Sequence, residues 1–123
     1  MISGQVNAKL EAVRLLQIEG KYNAIPDIEA LIDTGYSGYL TLPSALIAEL
    51  GLENFATGQL TLADGTKVTA DLYTATINWD GQPRTIEVDA LESEVLVGMA
   101  LLEGCDLHVR IAIGGQTTIT SFR

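Results

Sequence analysis

A mainly β single domain with two short helices is the fold class this sequence predicts, and three observations predict it. Apolar and polar residues alternate over short runs, at the period of half-buried strands. Two Asp-Gly pairs, Asp64-Gly65 and Asp80-Gly81, each sit between such runs, which is a strong short-range sign of a hairpin. Helical spacing of apolar residues occurs in only two places, both brief. At 123 residues the chain is long enough for one domain, 1–123, and short for two.

Ile2 to Val6 reads as an opening strand and Leu10 to Ile18 as a second, with Glu19-Gly20-Lys21 as a turn. A loop around Asn23 to Pro26 leads into a strand over Ile28 to Ile32 that ends at Asp33. After Tyr39-Leu40-Thr41-Leu42 comes PSALIAELGL. There Pro43 suits the first turn of a helix, Leu46, Ile47 and Leu50 recur at helical spacing, and Gly51 suits a left-handed exit. GQLTLADGTKVTADL folds back at Asp64-Gly65, read as a type I′ turn with positive φ at both residues. LYTATINWDGQPRTIEVDA folds back at Asp80-Gly81 by the same logic. Leu96-Val97 run into Gly98, and MALLEG makes a second helix ended by Gly104. LHVRIAI, a Gly114-Gly115 turn and TTITSF complete the series, with no repeat, low-complexity segment or linker.

Sixteen acids against seven bases give a net charge of -9, so the chain lacks the cationic face that nucleic acid or an anionic membrane requires. The acids are scattered, as on a solvated surface. An apolar content of 47% supports a packed core. One Cys excludes an intrachain disulfide and fits a reducing compartment. MISGQVNAKLEAVR has no apolar run of signal-peptide length, and no later segment is long enough to span a bilayer. The expectation is a soluble, cytoplasmic protein. A single His and a single Cys cannot furnish the paired ligands of a metal cluster, and no cofactor is called for. His108 falls on the polar face of an alternating strand, and Cys105 reads as a small buried hydrophobe. Trp79 reads as exposed or packed on the sheet, and Glu92 and Glu94 as solvated loop charges. Carboxylates are the chemistry that remains.

In ALIDTGYSGYLTLP, Asp33 ends an apolar run and is followed at once by Thr-Gly. Asp is disfavoured in strands and is seldom buried. Taken alone, Asp-Thr-Gly is a turn in which Asp caps its own backbone. Its context says more: an apolar strand before it, a hairpin tipped by Asp-Gly after it, and Leu96-Val97-Gly98 repeating two apolar residues before a glycine turn. In this order and spacing, ALIDTG, two hairpins and VLVGMALLEGCDL resemble the retropepsin-like aspartic proteases over nearly the whole chain. DTGYSGYLTLP followed by LADGTKV is similar to the prokaryotic clan AA group, whose motif is Asp-Thr-Gly-aromatic.

The resemblance implies a closed acid-protease barrel and a homodimeric aspartic endopeptidase acting on peptide or protein substrates. Asp33 would be the catalytic carboxylate, Thr34 would hydrogen-bond across to the partner subunit, and Gly35 would allow close backbone approach. Leu96, Val97 and Gly98 would pack beside the Asp33 loop. Gly58 to Ala70 would be the flap, with Ala63, Asp64, Gly65 and Thr66 at its tip. Tyr36, in place of a small residue, would either contact substrate or pack against the flap. Asp64 either serves the turn alone or, as a pair, favours substrates with Lys or Arg. Ser37 and Met99 stand where retroviral members carry an acid and an Arg, so the dimer would rest on apolar packing and strand pairing. Ile2–Val6 and the 111–122 hairpin are the candidate dimer strands, or else they complete the monomer's own sheet. The rival function is a silent peptide-binding or dimerisation module on the same fold.

Overall fold

The computed structural model describes residues 1–21, 25–92 and 94–123; of the loop expected over Asn23 to Pro26, Asn23 lies outside the described residues, while Ile25 and Pro26 already belong to a strand. Ten strands and two short helices are found among them: β1 (Ile2–Val6), β2 (Ala12–Glu19), β3 (Ile25–Ile32), β4 (Leu40–Leu42), α1 (Ser44–Leu50), β5 (Glu53–Thr61), β6 (Lys67–Trp79), β7 (Gln82–Ala90), β8 (Leu96–Val97), α2 (Met99–Leu102), β9 (Cys105–Val109) and β10 (Gln116–Ser121). The protein is mainly β, as its alternation implies.

One sheet carries the strands in the order β5-β6-β7-β4-β8-β3-β2-β1-β10-β9, and a further β6–β2 pairing closes its middle six into a barrel. Closure is made at Ile18 opposite Ile77 and Glu19 opposite Thr76. β8 is the short central piece, parallel to β3 through Leu31↔Leu96 and Ile32↔Val97 and antiparallel to β4 through Leu40↔Val97. Inward residues of every barrel strand fill the interior: Leu16, Ile18, Ala30, Leu40, Leu42, Ile77, Val88 and Val97, with Leu50 and Leu101 sealing it from the helices. Their burial is the main term holding the barrel closed, at about 1.5–3 kcal/mol per large apolar side chain. Trp79 joins this core.

Several expected boundaries move. β2 begins at Ala12, because the Asn7 side chain accepts the N–H groups of Lys9 and Glu11 at 3.0 Å and pulls Leu10 into a turn at φ +60°. Pro43 is the extended residue before α1, not part of its first turn; Gly51 does close α1 in the left-handed region, at φ +68°. The Asp80-Gly81 turn has positive φ at both residues, as a type I′ turn requires. At the β5–β6 hairpin the expected type I′ turn is absent. Gly65 alone has positive φ, Gly65 N–H donates to the Leu62 carbonyl, and Ala63-Asp64-Gly65 form a three-residue loop. The strand expected to reach Ile113 stops at Val109, since Gly114 and Gly115 are tied to Val6 by 2.8 and 2.9 Å backbone bonds, leaving Ile111 and Ile113 exposed.

The terminal strands complete the chain's own sheet. β1 lies between β2 and β10, with Ile2 opposite Ile119 and Val6 opposite Ala12, so both its edges are used.

Candidate functional site

Asp33 stands where β3 runs out. Its N–H donates to the Val97 carbonyl at 2.9 Å, extending the β3–β8 ladder by one rung before the chain turns. The turn is the Asx kind: Gly35 N–H donates to Asp33 Oδ1 at 2.8 Å, and Tyr36 N–H to the Asp33 carbonyl at 3.2 Å. This leaves the carboxyl group partly exposed at the end of an apolar strand.

The segment after Gly98 clamps this loop. Gly98 N–H donates to the Tyr39 carbonyl, Met99 N–H to that of Tyr36 and Ala100 N–H to that of Gly38, at 2.8–3.1 Å. The chains come so close that a methyl on Gly98 would overlap the Gly38 carbonyl and the Tyr36 ring. Leu96 and Val97 thus lie beside the Asp33 loop. Thr41 secures them from the other side: fully buried, its hydroxyl donates to the Glu94 carbonyl at 3.0 Å and accepts Leu96 N–H at 2.9 Å.

Tyr36 is turned inward. Its ring is buried, packed on Val68 and Leu96 and lying over Gly38, where no side chain would fit. Its hydroxyl donates to Asp89 Oδ2 on β7. Burial, and after it the Asp89 bond, push the phenol far above its ordinary range, so it is a fixed donor. Burial also raises the Asp89 carboxyl, and the Tyr36 bond only partly opposes this. Of the two expectations for Tyr36, packing against the hairpin strand through Val68 is the one seen.

The β5–β6 hairpin folds over the Asp33 loop. Built onto Gly35, a Cβ would stand 3.2 Å from Ala63 Cβ and 3.2 Å from Asp33 Oδ1, so the hairpin tip rests on the glycine next to the acid. Asp64, Gly65 and Thr66 are exposed. Asp64 Oδ1 accepts Thr66 N–H at 2.8 Å, and this bond holds its carboxyl below the usual range. Thr34, Ser37 and Met99 are exposed around the loop.

Asp33, Gly35, Tyr36, Ala63, Leu96, Val97 and Gly98 are therefore brought together, while Asp64, Gly65 and Thr66 occupy the outer side of the tip. Sequence reasoning placed Val68 only within the flap, and it missed Asp89 and Gly38. Of these only Gly38 left a trace, as the second glycine two residues beyond the aromatic. The other residues weighed for chemistry lie elsewhere: His108 is exposed on β9 and Cys105 half-buried at its start. Glu92 accepts both the N–H and the hydroxyl of Ser44, satisfying the start of α1. Among the described residues no group of His, Cys, Asp and Glu is placed to hold a metal ion, and no helix is long and apolar enough to cross a membrane. Comparison with protein-family models, curated proteins and solved structures finds no match for this chain.

Proposed function

We propose that the protein is an aspartic endopeptidase of the retropepsin-like kind, in which two copies each contribute Asp33 to one site. The observation that carries this reading is the seating of Asp33: a partly exposed carboxyl at a strand end, on a loop pinned by Val97 and Gly98, under a hairpin whose tip touches Gly35. A rigid acid beneath a cover suits work on an extended chain held between the two, where the hairpin would pair with substrate backbone as an added strand.

One carboxyl is half of the chemistry. Two carboxyls about 3 Å apart cannot both ionise, so one keeps its proton while the other takes one from a shared water. The water attacks the peptide carbonyl, whose oxygen is polarised by the protonated acid. Because one carboxyl must carry a proton for this chemistry, activity should favour acid to neutral pH. An isologous two-fold contact is the economical way for identical acids to meet. Thr34 would then reach the partner subunit at the base of the site.

Incubation with a diverse peptide library at several pH values, comparing the natural protein with Asp33→Asn, tests this. Cleavage by the natural protein alone is expected. A sturdy dimer that cleaves nothing at any pH overturns the proposal in favour of a peptide-binding module.

A further inference from the structure

Near the β6–β7 turn the core is open on one side. Between that turn, β1, β10 and the residues that follow α2 lies a cleft of about 300 Å³, and none of the residues around Asp33 lines it. Its walls are apolar where Ile2 and Ile119 meet it, both buried. Trp79 and Arg84 bring polar groups to it from one face of the β6–β7 ladder, since Arg84 stands opposite Ile77, two residues before Trp79.

Trp79, the chain's only tryptophan, is 7% exposed. Its indole N–H finds no acceptor among the described residues, yet the nitrogen keeps access to solvent, and the cleft is the opening that Trp79 lines. A donor on a buried ring ordinarily has a partner. Arg84 is half-buried, and a cation in that position ordinarily has an acid beside it. Among the described residues it has none. Its guanidinium makes one long bond, 3.5 Å, to the Leu101 carbonyl and lies 6.0 Å from the centre of the Tyr39 ring. The acids of the cleft are engaged by other cations: Asp80 accepts the Met1 ammonium at 2.7 Å, and Glu103 accepts Arg123 at 2.8 Å. Among the described residues the charge of Arg84 is therefore left over at the cleft, in a chain whose net charge is -9.

We infer that this cleft binds a small monocarboxylate, whose carboxylate is held by the Arg84 guanidinium and the Trp79 indole N–H and whose apolar body lies against Ile2 and Ile119. The flat fork of a guanidinium meets a carboxylate with two parallel bonds. One surplus cation matches one negative charge, whereas a phosphate dianion would bring a second charge up against Asp80 and Glu103. At the rim the Ser121 hydroxyl accepts Arg123 N–H at 3.3 Å and keeps its own proton to donate. The volume is at the lower end of ligand pockets, which run to about 300–1,000 Å³, so it suits a short branched acid or the last residue of a peptide chain. Both sources present the same group. This site needs neither Asp33 nor a second copy, so it stands or falls apart from the protease reading.

Because Trp79 is the only indole, its fluorescence reports on the cleft directly. The test titrates the natural protein with isovalerate, with N-acetyl-dialanyl-leucine, with the amide of each, and with inorganic phosphate, with calorimetry alongside. A saturable response to acid and none to amide is expected. Saturation by isovalerate upholds the site and assigns it to free acids; saturation by the acetylated tripeptide alone upholds it and assigns it to chain ends. Arg84→Gln should raise the Kd by roughly tenfold or more. Arg84→Lys, which keeps the charge and loses the fork, should raise it less. Circular dichroism controls for folding, and the comparison of acid with amide needs no variant. Amides that bind as well as acids, phosphate that binds more tightly than either acid, a folded Arg84→Gln that binds as the natural protein does, or no response by either method overturns the proposal.

Discussion

Tyr36 and Asp89 make a part-buried side-chain link at the site, and their energetics are those of a half-buried acid held by one donor. Tyr36→Phe strips the donor and leaves the carboxyl unpaired, so it should cost about 1–3 kcal/mol in urea unfolding. Asp89→Asn keeps an acceptor for the phenol and should cost less. The pH dependence has a definite sign. Burial raises the Asp89 carboxyl, so between its ordinary and its raised pKa the folded chain binds more proton than the unfolded one. Stability then falls as pH climbs through that window. Asp89→Asn should flatten this fall, and Tyr36→Phe, which removes the bond opposing the rise, should extend it to higher pH; denaturant midpoints across the acid-to-neutral range check both. The aromatic was visible beside Asp-Thr-Gly, but its partner was not. The two lie 53 residues apart, and nothing in the alternation of IEVDA marks Asp89 as an acid with a bond to make.

Among the elements, those announced by turn chemistry were readable and those set by distant contacts were not. α1 ends at Gly51 as its left-handed preference requires, and the Asp80-Gly81 hairpin has the turn its residues favour. The β5–β6 tip carries the same dipeptide with a different loop, because Asp64 binds Thr66 N–H and stays at negative φ. A two-residue pattern does not reveal which of its members the neighbouring backbone will capture. The glycines separate two kinds of cost. Gly65→Ala meets no neighbour and pays only for φ +86°, so a loss of about 1 kcal/mol is expected. Gly98→Ala drives a methyl into the Gly38 carbonyl and the Tyr36 ring, and overpacking of that kind costs about 1–3 kcal/mol or more. Thermal unfolding of the two variants should rank Gly98→Ala as the more damaging. It should also cut any peptide cleavage, because the same contact seats the Asp33 loop.

For the whole molecule, the alternating pattern implied strands and a core but not their order. Parallel pairing of β3 with β8 and of β4 with β7 joins segments far apart in the chain, and it follows from closure of the barrel rather than from any local signal. The closed part and the projecting part should differ in local stability. β6 serves both: Lys67 to Thr74 pair with β5 in the hairpin, whereas Ala75, Ile77 and Trp79 are buried in the barrel. Amide hydrogen exchange should therefore change rate along this single strand, slow from Ala75 onward and fast from Gly58 to Thr69, where most residues are exposed. Uniform protection along β6 would mean that the hairpin is locked into the barrel's cooperative unit.

The enclosed position of β1 bears on how the protein is made. This strand is made before the others of the domain, yet one of its two neighbours, β10, is made after all of them. Until then Ile2 and Val6 lack half their lining, and a nascent chain stalled short of Gln116 presents an unpaired strand to chaperones and to other nascent chains. The domain therefore closes only when its last strand is available to lock in its first.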